Sequence, residues 1–415
     1  MPPANAPPQL NDADWLRRPQ TQAVFRALEK GGFAARAVGG AVRNALLGHP
    51  VADVDIATPA PPEDVMRLAH AAGLKAIGTG LKHGTVTVVS GHTPYEITTL
   101  REDVETFGRH ASVAFTGNWD ADARRRDFTI NALYCDAQGV IHDPLGGYPD
   151  ILARRVRFIG DPDARIREDY LRILRFFRMS AVYADGPLDA EGLAASVRGR
   201  AGLQQLSRER IRQELLRLLA AARAAETLEH MQEYGLLTAV LPMAPRIALM
   251  RRLAELEAAL SLDPDPILRL AALVVEIPED AHRLFERLRL SSAEHQTLAT
   301  AAQIPRNLRP PIEVQAAKAW LYRLTPDRMR KSVLLNWARS SARVQDTEFH
   351  ALFNLPDQWQ APRFPLTGAD ITAAGEAAGP RVGQILRDME DWWIAAGFPT
   401  DRATITAQLE RRLRS

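Results

Sequence analysis

Runs in which apolar and polar or β-branched residues alternate crowd the first third of the chain: VADVDIA (51–57), GTVTVVS (84–90), YEITTLR (95–101) and INALYCD (130–136). A period of two over such lengths predicts strands. GHTP separates the second run from the third, and its Gly and Pro favour a reversal, so these two are expected to form an antiparallel hairpin. Helical patterns lie between the strands, which makes residues 1–147 a mixed α/β unit. From 148 onward the alternation fades and Leu, Ala, Arg and Glu recur at helical spacing to the C-terminus. Punctuation at ADGPLDAEG (184–192), SLDPDP (261–266) and IPRNLRPP (304–311) divides that stretch. The expected architecture is therefore α+β: a head over 1–147, then an all-helical neck (148–220), body (221–305) and tail (306–415). REDVETFGRHASVAFTGNWD (101–120) reads as a long polar loop with Gly108 and Gly117, and GTGLKHG (78–84) as a turn.

Composition changes this picture little. A chain of 415 residues, 46% hydrophobic and 25% charged, is too long for one core and should form two to four units. The formal charge is only +2, so contact with nucleic acid must rest on local charge. Residues 150–220 carry 14 arginines against 10 acids, and RGRAGLQQLSRERIRQELLRLL within them is a surface able to follow RNA phosphates, although each arginine singly reads as a solvated helix face. One cysteine, Cys135, excludes an internal disulfide framework and a Cys-rich zinc site. The longest apolar stretches, such as LAALVV (270–275), fall short of the ~20 residues a membrane span needs, and the N-terminus lacks an export signal. A cytoplasmic chain with no membrane and no disulfide-linked partner is expected.

Chemistry concentrates in two places. In VADVDIA the strand period puts Asp53 and Asp55 on one face and Val54 and Ile56 on the other. Carboxylates so close repel unless a cation lies between them, and oxygen ligands completed by substrate phosphates suit Mg2+. Just upstream, in VGGAVRN, Gly39 and Gly40 let backbone amides approach a phosphate, and Arg43 stands one helical turn behind. Together these describe a triphosphate and its metal. There is no GxGxxG fingerprint and no GK[ST] of a P-loop. Glu96 and Asp127 both remain open as a third carboxylate. Arg124 and Arg125 read as a solvated basic turn.

The second place is REDYLRILRFFR (167–178). At about 100° per residue, Tyr170, Ile173, Leu174 and Phe177 share one face while Arg172, Arg175 and Arg178 share the opposite one. Asp169 borders the arginine face at the i, i+3 spacing that lets it meet Arg172. A carboxylate accepts from an exocyclic amino group and a guanidinium donates to ring acceptors. Asp169 with Arg172 is thus expected to recognise the Watson–Crick edges of cytosine and adenine.

VGGAVRN, DVDIAT, LKHGTVTV, YEITTLR, RRRDFTINAL, HDPLGGYPDI and RRVRFIGDPDARIREDYLRILRFFR stand in an order that resembles the class II template-independent nucleotidyltransferases, which include tRNA CCA-adding enzymes and bacterial poly(A) polymerases. The likeness covers about residues 37–180. It implies a polymerase-β-like head in which Asp53 and Asp55 hold two Mg2+ ions and nucleotides are added to an RNA 3′ end. It further implies that Arg126 contacts the phosphates, beside Gly40 and Arg43, and that Asp169, Arg172, Arg175 and Arg178 occupy nucleotide-binding positions. The chain departs from the family in having Asn44 where Asp usually follows the motif arginine; an amide keeps the hydrogen bond but not the charge. LTGADITAAGEAAGPRVGQILRDM (366–389) resembles the tail of bacterial tRNA nucleotidyltransferases, with Gly379 and Pro380 opening a helix and RNA as its ligand. Trp392 and Trp393 are expected in the core.

The function so implied is addition of CCA to the 3′ end of tRNA from CTP and ATP with Mg2+, releasing pyrophosphate. A poly(A) polymerase or a partial CC- or A-adding enzyme shares that chemistry, and a non-enzymatic helical RNA-binding protein is a further alternative. LKHGTVTV, DPLGGYPDI and the Gly-Pro tail resemble the CCA-adding branch. The 101–120 segment is expected to move when specificity switches from C to A. Shortening it should leave both C additions intact and abolish the final A, as read by sequencing the product; equal loss of both steps would count against this role.

Overall fold

The computed structural model describes residues 7–107, 110–241, 243–304 and 308–414. The chain divides into two compact units, Met1–Pro242 and Met243–Ser415; this boundary falls inside the stretch 221–305 expected as one body.

The first unit is built on a seven-stranded sheet. Its strands are β1 (Arg36–Val38), β2 (Asp55–Thr58), β3 (Lys75–Gly80), β4 (Thr85–Ser90), β5 (Thr93–Thr99), β8 (Tyr134–Cys135) and β9 (Ile141–His142), in the order β3-β4-β5-β2-β1-β8-β9. A separate two-stranded ribbon is formed by β6 (Arg101–Phe107) and β7 (His110–Phe115). The expected hairpin is β4 with β5, paired antiparallel. The one parallel contact in the large sheet, β2 with β5, sets Asp55 directly opposite Glu96. Val86, Val88, Ile97 and Ile56 are buried and alternate with polar positions, the half-buried pattern that the sequence period announced.

Four expected elements are corrected. The strand expected over 51–57 begins at Asp55, so Asp53 lies in the extended segment ahead of it. Ile130–Asp136 is a 3-10 turn (Thr129–Asn131) followed by the two-residue β8, too short for periodicity to register. GTGLKHG is not only a turn, since β3 runs to Gly80 before a 3-10 turn over Leu81–His83. The segment 101–120 is no loop but the β6–β7 ribbon followed by the Trp119–Arg124 helix. The register shift between Asp103 and Glu105 interrupts the two-residue period, so the sequence does not announce a strand there.

One core joins sheet and helices. Phe128, Phe158, Phe176 and Phe177 are all buried. Phe158 lies 4.9 Å from Phe128 and 5.5 Å from Phe176, ring centre to ring centre, and Phe177 lies 5.4 Å from Phe176. These contacts fasten the Leu171–Tyr183 helix to the strand-linked segment that follows Arg126.

The second unit is helical throughout its described residues. Pro380 stands at the first turn of the Pro380–Ala395 helix as expected, with Gly379 as its N-cap in extended backbone. Trp393 is buried with Ile371, Ile385, Met389 and Phe398, and Trp392 packs half-buried against the same cluster. No helix of the described residues is long and apolar enough to cross a membrane.

Because Phe176 contacts three other rings, Phe176→Ala should destabilise the first unit by ~3–5 kcal/mol. Denaturant unfolding followed by a first-unit probe would measure it, and a loss under about 1 kcal/mol would show that the aromatic contacts do not anchor this helix.

Candidate active site

β1 ends at Val38 and the chain turns sharply into the Gly40–Leu46 helix. Gly39 makes that turn at φ +66°, ψ −111°, backbone that only glycine adopts without strain. It stands at the helix N-terminus, with Arg43 one turn on, as the sequence suggested. Gly39 and Gly40 line a cleft of ≈ 430 Å3 together with Arg43, Asp55, Arg125, Arg126, Asp127, Asn131, Asp169, Arg172, Arg175 and Arg178. Eight of the nine expected site residues therefore meet in one cavity of the size that holds a small ligand. Asp53, the ninth, is exposed beside it.

The burial of residues 53–56 alternates, with Asp53 and Asp55 accessible and Val54 and Ile56 buried. Burial in the cleft and then the adjacent Glu96 push the Asp55 carboxyl above the usual carboxylate range, Asp53 adds to the effect, and Arg126 opposes it. Three like charges thus converge where parallel pairing forces Glu96 against Asp55. Asp127 has a different environment: although burial resists its charge, Arg175, Asn131 and the Phe128 amide hold it below the usual range. Its Oδ2 accepts from Arg175 Nε at 2.8 Å and its Oδ1 from Asn131 Nδ2 at 2.9 Å. The geometry therefore separates the two candidate third carboxylates, with Glu96 beside the acids and Asp127 neutralised.

Hard oxygen donors under mutual repulsion are a fit for a divalent cation such as Mg2+. Among the described residues no group of three or more His, Cys, Asp and Glu forms a ready-made metal cage.

Arg126 is fixed from behind. Nη2 donates to Asp122 Oδ2 at 2.9 Å and Nε to the Tyr134 hydroxyl at 3.3 Å, while that hydroxyl donates to the same Oδ2 at 2.8 Å. Asp122 is buried, and despite that burial Arg126 and Arg125 keep its carboxyl below the usual range. Arg125, expected to be a solvated turn residue, instead bonds Asp122 Oδ1 at 3.2 Å and lines the cleft.

The helical wall departs from its sequence reading in two respects. No single helix runs over 167–178: Pro162–Glu168 ends at Asp169, whose backbone is extended (φ −155°, ψ 107°), and the next helix covers Leu171–Tyr183. The Asp169 side chain accepts from the Leu171 amide at 3.1 Å, bridging the break. The expected side-chain pair of Asp169 with Arg172 is also absent from the described contacts. Arg210 takes Asp169 with both terminal nitrogens, at 3.2 and 2.6 Å, whereas Arg172 Nη1 donates to Glu168 and to the Arg165 carbonyl. The two residues still meet through the backbone, the Arg172 amide donating to the Asp169 carbonyl at 3.0 Å, but with Asp169 extended its side chain turns to the Leu171 amide and Arg210 instead. Both residues still line the cleft, and the arginine stripe is as expected: Arg172, Arg175 and Arg178 are half-buried while Ile173, Leu174, Phe176 and Phe177 are buried. Arg178 Nε donates to Glu214 at 2.5 Å.

Asn131, Arg210 and Glu214 escaped the sequence reading. Asn131 had a usable signal, a polar residue between buried Ile130 and Ala132; Arg210 and Glu214 come from a distant helix and had none.

Residues 35–157 match the family model described as "Poly A polymerase head domain", and residues 189–247 the one described as "Probable RNA and SrmB- binding site of polymerase A". The chain is 34% identical over 393 residues to the mitochondrial CCA tRNA nucleotidyltransferase 1 of Danio rerio, covering 92% of this chain and 88% of that one. It is 41% identical over 237 residues to a CCA-adding enzyme of Geobacillus thermodenitrificans, 57% of each chain. A crystal structure of the Bacillus stearothermophilus CCA-adding enzyme in complex with CTP superposes with a TM-score of 0.74 at 28% identity, covering 95% of this chain and 97% of that one.

If the crowding of Asp55, Asp53 and Glu96 is as unfavourable as its geometry indicates, Asp55→Asn should raise the melting temperature of the metal-free protein at neutral pH while abolishing activity. Thermal denaturation in a chelator tests this, and a lowered melting temperature would show that the acids do not oppose one another.

Proposed function

The chain belongs to the CCA tRNA nucleotidyltransferases, and we propose that the cleft between Gly39 and Arg178 is where it performs their reaction. The enzyme adds C, C and A to the 3′ end of tRNA, taking CTP and ATP as substrates and releasing pyrophosphate. The observation that carries the site assignment is one cleft with two chemistries: acids under mutual repulsion at Asp55, and a carboxylate with guanidinium groups at Asp169, Arg172, Arg175 and Arg178.

Asp53 and Asp55 would hold Mg2+, with Glu96 the nearest further carboxylate, and the metal would supply activation of the terminal ribose hydroxyl and neutralisation of the triphosphate. The chain's own residues do the rest. Gly39 and Gly40 line the cleft at a helix N-terminus, where phosphate oxygens are favoured, the Gly39 amide itself donating to the Leu133 carbonyl at 3.3 Å. Arg43 and Arg126 bring positive charge to the same end, so that charge developing on the phosphates as the bond to the leaving group lengthens meets fixed donors.

At the far wall Asp169 selects the base. Arg210 and the Leu171 amide share Oδ1 and Arg210 takes one site on Oδ2, so of the about four sites a carboxylate offers one remains, on Oδ2, to accept the exocyclic amino group shared by cytosine and adenine. Arg172 lines the same wall and can donate to a ring acceptor. Uracil and guanine present no amino group at that place. Each base contact of this kind is worth ~1–3 kcal/mol of discrimination. The basic stretch over 150–220 and the tail are the surfaces for the tRNA body.

Incubation with a tRNA lacking its 3′ end, CTP, ATP and Mg2+, followed by sequencing, should show C, C and A and then a stop; long A runs would overturn the assignment. Asp53→Ala should add nothing while still binding tRNA, and retained turnover would remove the metal-ligand assignment.

A further inference from the structure

The arginines of the cleft differ in how their charge is balanced. Arg125 and Arg126 pair with Asp122, Arg172 with Glu168, Arg175 with Asp127, and Arg178 with Glu214. Arg43 is 7% exposed, and each hydrogen bond described for its side chain ends on an uncharged oxygen. Nε and Nη2 donate to Asn44 Oδ1 at 3.2 and 2.9 Å, Nη1 to Asn131 Oδ1 at 2.5 Å, and Nη2 to the Tyr183 hydroxyl at 2.6 Å. The Arg43 guanidinium carbon also stands 3.9 Å from the centre of the Tyr183 ring. On that same ring the His49 imidazole stacks at 5.8 Å and 26°.

Tyr183 is the last residue of the Leu171–Tyr183 helix that carries the arginine stripe. Arg43 and Asn44 sit on the helix opened by Gly39, and Asn131 on the 3-10 turn after Asp127. One guanidinium thereby joins three elements around the cleft, and Tyr183 is the link to the base-reading wall.

We propose that Tyr183 is a positioning residue for nucleotidyl transfer: its ring and hydroxyl hold Arg43 at the cleft without neutralising it, leaving the full positive charge for the triphosphate. An aromatic face suits this task. It attracts a cation through its quadrupole but carries no formal charge, whereas a carboxylate would hold the guanidinium as firmly and cancel its field. Asn44 and Asn131 extend the same logic. The cost is visible in the arginine itself, where burial, together with the like charge of Arg178, draws the Arg43 pKa below the ordinary arginine value despite the opposing effects of Tyr183 and of the Asp127 carboxylate, which does not hydrogen-bond it.

This inference rests on Arg43 contacting the triphosphate, and the experiment separates the two. Steady-state kinetics for CTP and ATP would be measured on Tyr183→Leu, Tyr183→Phe and Arg43→Lys, with thermal denaturation of each. Tyr183→Leu should raise KM about tenfold for CTP and ATP alike, because both share the triphosphate, with kcat changed less than about threefold. Tyr183→Phe keeps the ring and loses the hydroxyl contact, so its KM should rise less than that of Tyr183→Leu for both nucleotides, and a rise as large as that of Tyr183→Leu would defeat the role of the ring. Arg43→Lys should raise KM at least as far as Tyr183→Leu. An Arg43→Lys variant with unchanged KM defeats the assignment of Arg43 itself. A raised KM there but not in Tyr183→Leu, or a Tyr183→Leu that loses kcat at constant KM, defeats the role of Tyr183. Should Tyr183→Leu fail to fold, Tyr183→Gln, which lacks the aromatic face, must give the same shared rise in KM.

Discussion

The contact on which the site depends is apolar: the packing of the Phe128, Phe158, Phe176 and Phe177 rings against one another. Phe128 follows Asp127 and Arg126 in the chain, and Phe176 lies between Arg175 and Arg178 on the helix. Burying those rings against one another brings a segment attached to the sheet and a helix far along the chain to a fixed separation. The arginines at every third position of that helix then line the same cleft as Asp55 of β2. Aromatic burial of this extent is worth several kcal/mol, whereas the gain of the largely buried ion pairs in the cleft is offset by the cost of desolvating their charges.

Around that anchor the polar groups divide by task. Arg126, Arg172, Arg175 and Arg178 are tethered by Asp122, Glu168, Asp127 and Glu214, so their orientation is set before a nucleotide arrives. Such preorganisation is what makes donors effective at developing charge, since nothing must reorient as the reaction proceeds. Asp55, Asp53 and Glu96 have the opposite arrangement, an unfavourable concentration of like charge that awaits a cation. Stability is conceded at the acids and recovered in the core, a distribution common to sites built for chemistry.

The sequence made the site more legible than the fold around it. The Gly39–Gly40–Arg43 and Asp53/Asp55 spacings carry their chemistry locally, and the burial of Val54 and Ile56 reproduces the strand period. The buried and half-buried faces of the Leu171–Tyr183 helix likewise follow from its 3.6-residue period. What sequence could not supply is whatever depends on a distant partner. Arg210 displaces Arg172 as the partner of Asp169 from 41 residues away, and no spacing rule reaches that far. Strands of two residues, such as β8 and β9, are shorter than any period that could betray them. In the β6–β7 ribbon the register shift between Asp103 and Glu105 breaks the period that would announce it.

Gly39 shows how narrowly one position can be constrained without crowding. A Cβ built there would meet nothing nearer than the Asn131 carbonyl oxygen at 3.6 Å, an ordinary van der Waals distance. The restriction comes wholly from backbone handedness at φ +66°, ψ −111°, a combination outside even the left-handed basin that asparagine tolerates. Evolution can therefore vary the walls of this cavity by trading one side chain for another, but at its hinge it has no currency but the absence of one.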